Sequence, residues 1–322
     1  MPNKSVTLSL LTAAVLALTP ASPGPIAEAQ RPAPTNVRVV VQPLANFTPI
    51  LIARDKGFFT EENLNVTWTT ITQAAVAVEA VYGGSAEFGG GGILEPIVAR
   101  GNGLDVMFAV ANCQLRAEPP HSYGLYVRDA DPIRKPADLA GKRVSAGLIN
   151  SVGYVHTLEW LRRNNVDPKG IQFLELPLPQ MHDALLNNRI DAGWIVEPFV
   201  QILNQAGKGR ALAYPYHENI KGMDITHYIA KESWLKANAD AARRFKRAID
   251  KATTYLNTTS KEERVSWVAK FSGVKPELAE KMVLPVYVTE INVQHLQGNA
   301  EIAHRQGLLK QVFDTKTMVW KP

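Results

Sequence analysis

Apolar residues follow two alternating rhythms from residue 37 onward. Val37-Arg38-Val39-Val40-Val41 is a β-branched run of the kind that fills a parallel strand covered on both faces. The next stretch, 48–59, has helical spacing. The exchange then repeats: strand 66–71, helix 73–82 closed by Gly83-Gly84, strand 86–88, helix 93–100 ended by Gly101, strand 106–111. A second series follows, with strands at 123–127, 142–146, 171–176 and 192–196. Its helices lie at 151–164 behind a Ser151 N-cap, at 181–188, and at 198–206 with Pro198 in the first turn. After a last strand at 225–230 the chain turns helical, with Phe245, Ala248, Ile249, Ala252, Tyr255 and Leu256 on one face. This alternation predicts parallel sheets with helices on both faces, an α/β fold of two Rossmann-like lobes with a helical C-terminal tail. The crossings between lobes are expected near 122–126 and 221–227. Lobe I would hold 36–123 with 226–322, and lobe II 124–225.

The first residues break this pattern. Lys4 precedes an apolar run from Val6 to Leu18; Pro20, Pro23 and Gly24 interrupt any helix, and Ala27-Glu28-Ala29 suits a signal peptidase. Residues 1–29 read as a cleaved secretory signal, too short in apolar length for a membrane anchor. No cysteine lies near the cleavage point, so no lipid anchor is expected and the mature chain should be soluble in a periplasm. The 322 residues contain one cysteine, Cys113, which excludes an intrachain disulfide. Hydrophobic content of 46% and charged content of 20% are those of a folded globular chain. The net charge of +5 is scattered, with no stripe for nucleic acid. It leans slightly toward an anionic small-molecule ligand.

In open α/β sheets, ligands sit at the carboxyl ends of the strands, so the residues that follow each strand are the candidates. Asn46 can donate and accept after the first strand; Phe47 beside it either stacks on a ligand or belongs to the core. The run Gly89–Gly92 precedes a helix, so Gly91 and Gly92 either bring backbone N–H groups to a ligand or serve a tight turn. Asn112 and Cys113 follow the fourth strand. Ser151, Val152, Gly153 and Tyr154 open a long helix whose free N–H groups make an anion-type site, or Ser151 is a plain N-cap. Trp194 could cover an apolar body. Glu197 either accepts from a ligand amine or caps the next helix, and His227 is either a ligand contact or a satisfied structural histidine. No His-Glu-x-x-His, paired cysteines or acidic calcium loop occurs, so neither metal nor cofactor is expected. No Lys-Ser/Thr follows the glycines, which excludes a Walker A loop, and no Gly-x-Ser-x-Gly elbow is present.

Ile52-Ala53-Arg54-Asp55-Lys56-Gly57-Phe58-Phe59, followed by Glu61-Glu62-Asn63-Leu64-Asn65-Val66, resembles the opening of the nitrate/sulfonate/taurine-type binding proteins, the NMT1/THI5-like group. Asn63 stands where that family has glycine, and Asn tolerates the left-handed conformation. Asp131-Pro132-Ile133, Pro136 to Val144, Ala184-Leu185 with Asn188 and Asp191-Ala192, and Glu197-Pro198-Phe199 resemble the family's later motifs in order and spacing. The Asp-Lys-Gly-Phe-Phe motif itself reads as a helix end capped by Gly57, not as a binding feature.

The resemblance implies a type II periplasmic binding protein whose lobes close about a hinge. In that family the loop at Ser151 grips the polar head of the ligand. The implied function is capture of a small organic molecule, an organic acid such as a sulfonate or aromatic carboxylate, by a monomer that delivers it to ABC permease subunits. It is not that of an enzyme. Two relatives on the fold do chemistry. The pyrimidine synthases carry a cysteine-rich iron motif, which a single cysteine does not match. A desulfinase-like enzyme would use Cys113 with a histidine and an arginine, as His121 and Arg116 would allow. A periplasmic ligand sensor is the remaining alternative.

Overall fold

The computed structural model describes residues 1–3 and 33–322, so the expected secretory signal falls almost wholly outside the described residues. Eleven strands are present among them: β1 (Thr35–Val41), β2 (Leu64–Thr70), β3 (Phe88–Gly92), β4 (Met107–Gln114), β5 (Tyr123–Arg128), β6 (Arg143–Ser145), β7 (Gln172–Phe173), β8 (Ala192–Val196), β9 (Gly209–Ala213), β10 (Asp224–Ala230) and β11 (Val286–Tyr287). They form two sheets, ordered β11-β4-β10-β3-β1-β2 and β7-β6-β8-β5-β9. The chain leaves the first sheet after Gln114 and returns to it at Asp224, so it passes between the sheets twice.

The helices fill the intervals: α1 (Thr48–Asp55), α2 (Phe58–Glu61), α3 (Ala74–Gly83), α4 (Leu94–Gly101), α5 (Val152–Arg163), α6 (Leu178–Leu186), α7 (Phe199–Ala206), α8 (Pro215–Asn219), α9 (Glu232–Ala237), α10 (Ala239–Thr258), α11 (Lys261–Ser272), α12 (Pro276–Ala279) and α13 (Val293–Arg305). The helix expected over 48–59 is two helices, because Gly57 takes a left-handed φ of 78° and turns the chain between them. Asn63 also has a left-handed φ, 51°, where the family motif carries glycine. The apolar face of α10 seats Phe245 against Phe88, ring centroids 4.1 Å apart and stacked, and against Phe59 at 5.7 Å. No helix among the described residues is long and apolar enough to cross a membrane.

Two expectations need correction. The sheets are mixed, not parallel throughout. β1 runs parallel to β2 and β3, and β6 to β7 and β8. β10 is antiparallel to β3 and β4, β5 to β8 and β9, and β11 to β4. β5 and β10 are the first strands laid down after each change of sheet. They enter without a βαβ crossover, and so without its parallel constraint.

The run Gly89–Gly92 is not a turn but strand β3 itself, wholly buried. Its glycines serve close packing. A Cβ on Gly89 would lie 2.7 Å from the carbonyl oxygen of Ala77 in α3, and one on Gly90 would lie 2.5 Å from the ring of Phe47. Sequence spacing locates a glycine run but not the helix and ring pressed against it.

Candidate functional site

Between the two sheets lies a cavity of about 290 Å³, at the low end for small-molecule sites. Its walls are the segments that follow the strands. From the first sheet come Gln42 and Leu44 after β1, Thr72 to Ala75 at the start of α3, Gly92 at the end of β3 and Glu95 in the first turn of α4. From the second come Ala146 to Gly153 after β6, Leu176 to Leu178 after β7, and Trp194 on β8. Tyr123 and Thr226, at the starts of the two returning strands, complete the wall with Tyr216 and Ile225.

An aromatic group covers one side. Trp194 lies 4.3 Å from Tyr216 between ring centroids, and Tyr123 lies 5.9 Å from Tyr216. The Tyr123 hydroxyl is 3.4 Å from Asn46 Nδ2, which also reaches Thr226 Oγ1 at 3.3 Å. Burial pushes the Tyr123 hydroxyl up to about 12, so it stays protonated and able to donate. The opposite wall is the turn before α5. Its N-cap Ser151 accepts from the Tyr154 N–H at 3.5 Å, and the Ile149 N–H donates to Glu175 Oε1 at 2.7 Å. Gly153 must be glycine here: a Cβ would sit 2.4 Å from the Ala146 carbonyl oxygen, forcing α5 away from β6.

The wall residues include no Lys, Arg or His, and one carboxyl, that of Glu95. Its Oε2 is buried without a hydrogen-bond partner. Burial raises its affinity for a proton, while hydrogen bonds from the backbone of Glu95 itself and of Val152 pull the other way.

Of the residues expected from the sequence, Gly92, Ser151, Val152, Gly153 and Trp194 line this cavity together. Asn46 stands one shell behind it, held by Tyr123 and Thr226. The others lie elsewhere. Phe47 is fully buried in the core, edge-on to Tyr228 at 5.5 Å. Gly91 is paired inside β3 with His227. Asn112 is fully buried, its Nδ2 donating to Thr226 Oγ1 at 3.0 Å. Cys113 is fully buried, its thiol donating to the Asn46 carbonyl at 3.3 Å. Tyr154 turns outward from the cavity onto Phe173, 5.0 Å away.

Glu197 accepts from the Val283 N–H at 2.9 Å and from Gln201 Nε2 at 2.7 Å, beside a separate small void. His227 is wholly buried: Nε2 lies 2.7 Å from Asp224 Oδ2 and Nδ1 accepts from the Asn112 N–H at 3.1 Å, which makes it a structural histidine. β4 runs on to Gln114, so Asn112 and Cys113 lie within the strand, between β10 and β11, and not in the loop after it.

Sequence reasoning missed Glu95, Tyr123, Tyr216 and the turn at Thr72. Tyr123 lies in a predicted crossing, which was a signal; Glu95, an acid in a first helical turn, carried none. Tyr216 follows β9, a strand too small-residue and polar to be read. Among the described residues no group of His, Cys, Asp or Glu is placed to hold a metal ion.

A model of the family described as NMT1/THI5 like matches residues 44–262. Relatives include a yeast 4-amino-5-hydroxymethyl-2-methylpyrimidine phosphate synthase (Saccharomyces cerevisiae), 23% identical over 67% of this chain. The match spans only 64% of that synthase's length. The taurine-binding periplasmic protein of Escherichia coli is 24% identical over 74% of this chain and 73% of its own. In structure, the chain is similar to the periplasmic aliphatic sulphonate binding protein of Escherichia coli, with a TM-score of 0.74 and 20% identity over 90% of this chain and 93% of that one. It is also similar to the periplasmic nitrate-binding protein of Synechocystis, with a TM-score of 0.69 and 17% identity over 88% and 84%. At these identities the structural likeness establishes the fold, that of periplasmic binding proteins.

Proposed function

The chain belongs to the NMT1/THI5-like family, and on that footing we propose that it is a periplasmic solute-binding protein of an ABC importer. It captures one small organic molecule between two lobes and hands it to permease subunits at the inner membrane, acting as a monomer. The lobes are 36–123 with 226–322, and 124–225. The observation that carries this reading is the cavity walled from both sheets where their strands end, joined by only two passes of chain. Ligand that touches both walls favours the closed form, and closure follows from that difference in affinity.

Four contacts reach from one sheet's elements to the other's and would part on opening. They are Asn46 to Tyr123 at 3.4 Å, Glu197 to Val283 at 2.9 Å, His156 to Asn299 at 2.9 Å and Arg305 to Glu159 at 3.2 Å. Gly92, Ser151, Val152, Gly153 and Trp194 are the expected residues proposed to touch the ligand, with Tyr123, Tyr216 and Glu95 added. For an organic acid, the wall offers the start of α5 and no cationic side chain.

The name of the yeast relatives raises an enzymatic alternative. Cys113 does not suit the thiol chemistry open to a desulfinase: burial drives its pKa well above that of a free thiol, disfavouring the thiolate that attacks. His121 and Arg116 line a small pocket behind the Tyr123, Trp194 and Tyr216 wall, and neither lines the main cavity.

The test is a thermal-shift screen of small organic acids, amines and zwitterions, followed by small-angle scattering. A ligand at a hundredfold over its dissociation constant should add about 2.7 kcal/mol of stability and shrink the radius of gyration. Leu148→Trp, which fills the cavity from a partly exposed wall position, should abolish both responses while the protein still unfolds cooperatively. Binding that left the scattering unchanged and tolerated Leu148→Trp would refute capture in this cavity.

A further inference from the structure

The wall contains one feature that a site for a simple anion would not. Glu95 lines the cavity as a half-buried side chain, and its Oε2 is buried with no partner. An unpartnered buried carboxyl oxygen is costly unless a donor arrives. The wall supplies no Lys, Arg or His that could provide one.

Helix starts favour negative charge, and α4 and α5 both begin at this cavity. Glu95 already occupies the place: it stands in the first turn of α4 and lines the cavity together with Val152, the first residue of α5. The protein therefore brings its own anion to the position where a ligand's acid group would otherwise sit. Gly92 makes room for it, since a Cβ there would lie 2.6 Å from Oε2. The rest of the wall is largely apolar and aromatic, with Leu148, Leu178, Trp194 and Tyr216 able to enclose a flat or hydrocarbon body.

We infer that Glu95 sets the ligand class: the solute carries a nitrogen with N–H donors, an ammonium, amidinium or amino-heterocycle, which completes Oε2, on a compact apolar or aromatic body. This rests on the solute-binding reading and sharpens it. Any acid group on the solute sits away from Glu95, as in a zwitterion. A ligand that is only an anion is disfavoured by the adjacent carboxylate. A protonated Glu95 could instead donate to an anion, and the two arrangements respond oppositely to the amide: glutamine keeps an N–H donor and loses the charge.

Matched pairs decide the matter: benzamidine against benzoate, taurine against isethionate, 4-aminopyrimidine against pyrimidine, each titrated into the wild type and into Glu95→Gln. The nitrogen-bearing member should bind the wild type at least tenfold more tightly than its partner. Glu95→Gln should weaken that member at least tenfold while unfolding as cooperatively as the wild type. If benzoate or isethionate binds the wild type as well as its partner does, the inference falls, and the same holds if Glu95→Gln leaves the nitrogen members within twofold or improves the anions. In those cases a solute-capturing protein remains. If no member binds either protein, the solute-binding reading and this inference fall together.

Discussion

Asp224 and Glu95 are both acids carried into the interior near the same cavity, and the protein treats them differently. Asp224, at the start of β10, is finished from within. Its Oδ2 lies 2.7 Å from His227 Nε2 and 2.9 Å from the Asn292 N–H, and its Oδ1 lies 2.9 Å from His295 Nδ1. Burial alone would raise its pKa, but the hydrogen bonds from His227 and His295 outweigh that and hold it well below the carboxylate range. Glu95, at the start of α4, keeps one oxygen open, and burial wins. A carboxylate that holds a fold together is saturated by its own chain, whereas one that waits for a partner from outside is left incomplete. The saturated group adds stability; the open one costs it.

The largest effect should come from Asp224→Ala, which strips His227 and the Asn292 N–H of their acceptor. Removing one member of such a buried cluster typically costs about 3–5 kcal/mol. Denaturant titration at neutral pH measures it, and a loss under 1 kcal/mol would erase the distinction drawn between the two acids.

A second effect concerns the clasp at His156, where Nε2 lies 2.9 Å from Asn299 Oδ1 and Nδ1 lies 3.2 Å from Asn219 Nδ2. Burial lowers this histidine to about 4, against about 6.5 in an unfolded chain. Between those values the unfolded chain takes up a proton that the folded one refuses. Stability should therefore fall as pH drops from about 6.5 to about 4 and level off below, by about 3 kcal/mol for this group. The His156→Gln protein should lack that part of the slope when both are titrated with denaturant across the range.

The smallest effect has the opposite sign. Glu95→Gln should stabilise the ligand-free protein by about 1 kcal/mol at pH 7, as relief of a strained binding group often does. The gain should shrink as pH falls and Glu95 takes up its proton. Measured beside Asp224→Ala, a loss on Glu95→Gln would mean that the open oxygen is not a liability.

The sequence made the scaffold readable where local chemistry decides it. The β-branched run at Val37–Val41 could be little but a buried strand, and β8 (Ala192–Val196) is recovered at its predicted limits. Ser151, Val152 and Gly153 were legible as a helix start because capping is encoded within four residues, and they line the cavity. That Gly89–Gly92 continue the strand was not legible, because what selects Gly89 and Gly90, Ala77 and Phe47 pressed on the strand, is remote in sequence. Glu95 escaped because an acid in a first helical turn is ordinary. Only its place in the cavity wall with Val152, with Oε2 left unpartnered, makes it unusual. Asn112, Cys113 and His227 sit on β4 and β10, and that these strands pair in mid-sheet with the side chains turned inward is a matter of topology, not spacing.

The place of β10 between β3 and β4 also orders assembly in time. Every strand of the second sheet lies within 123–213, so that sheet can close on itself as soon as those residues are available. The first sheet has a gap at its centre until residue 230 arrives, and β3 and β4 lack the neighbour they share before then. Non-local closure of this kind is slow, so the half of the molecule that begins first in sequence is the half that finishes last.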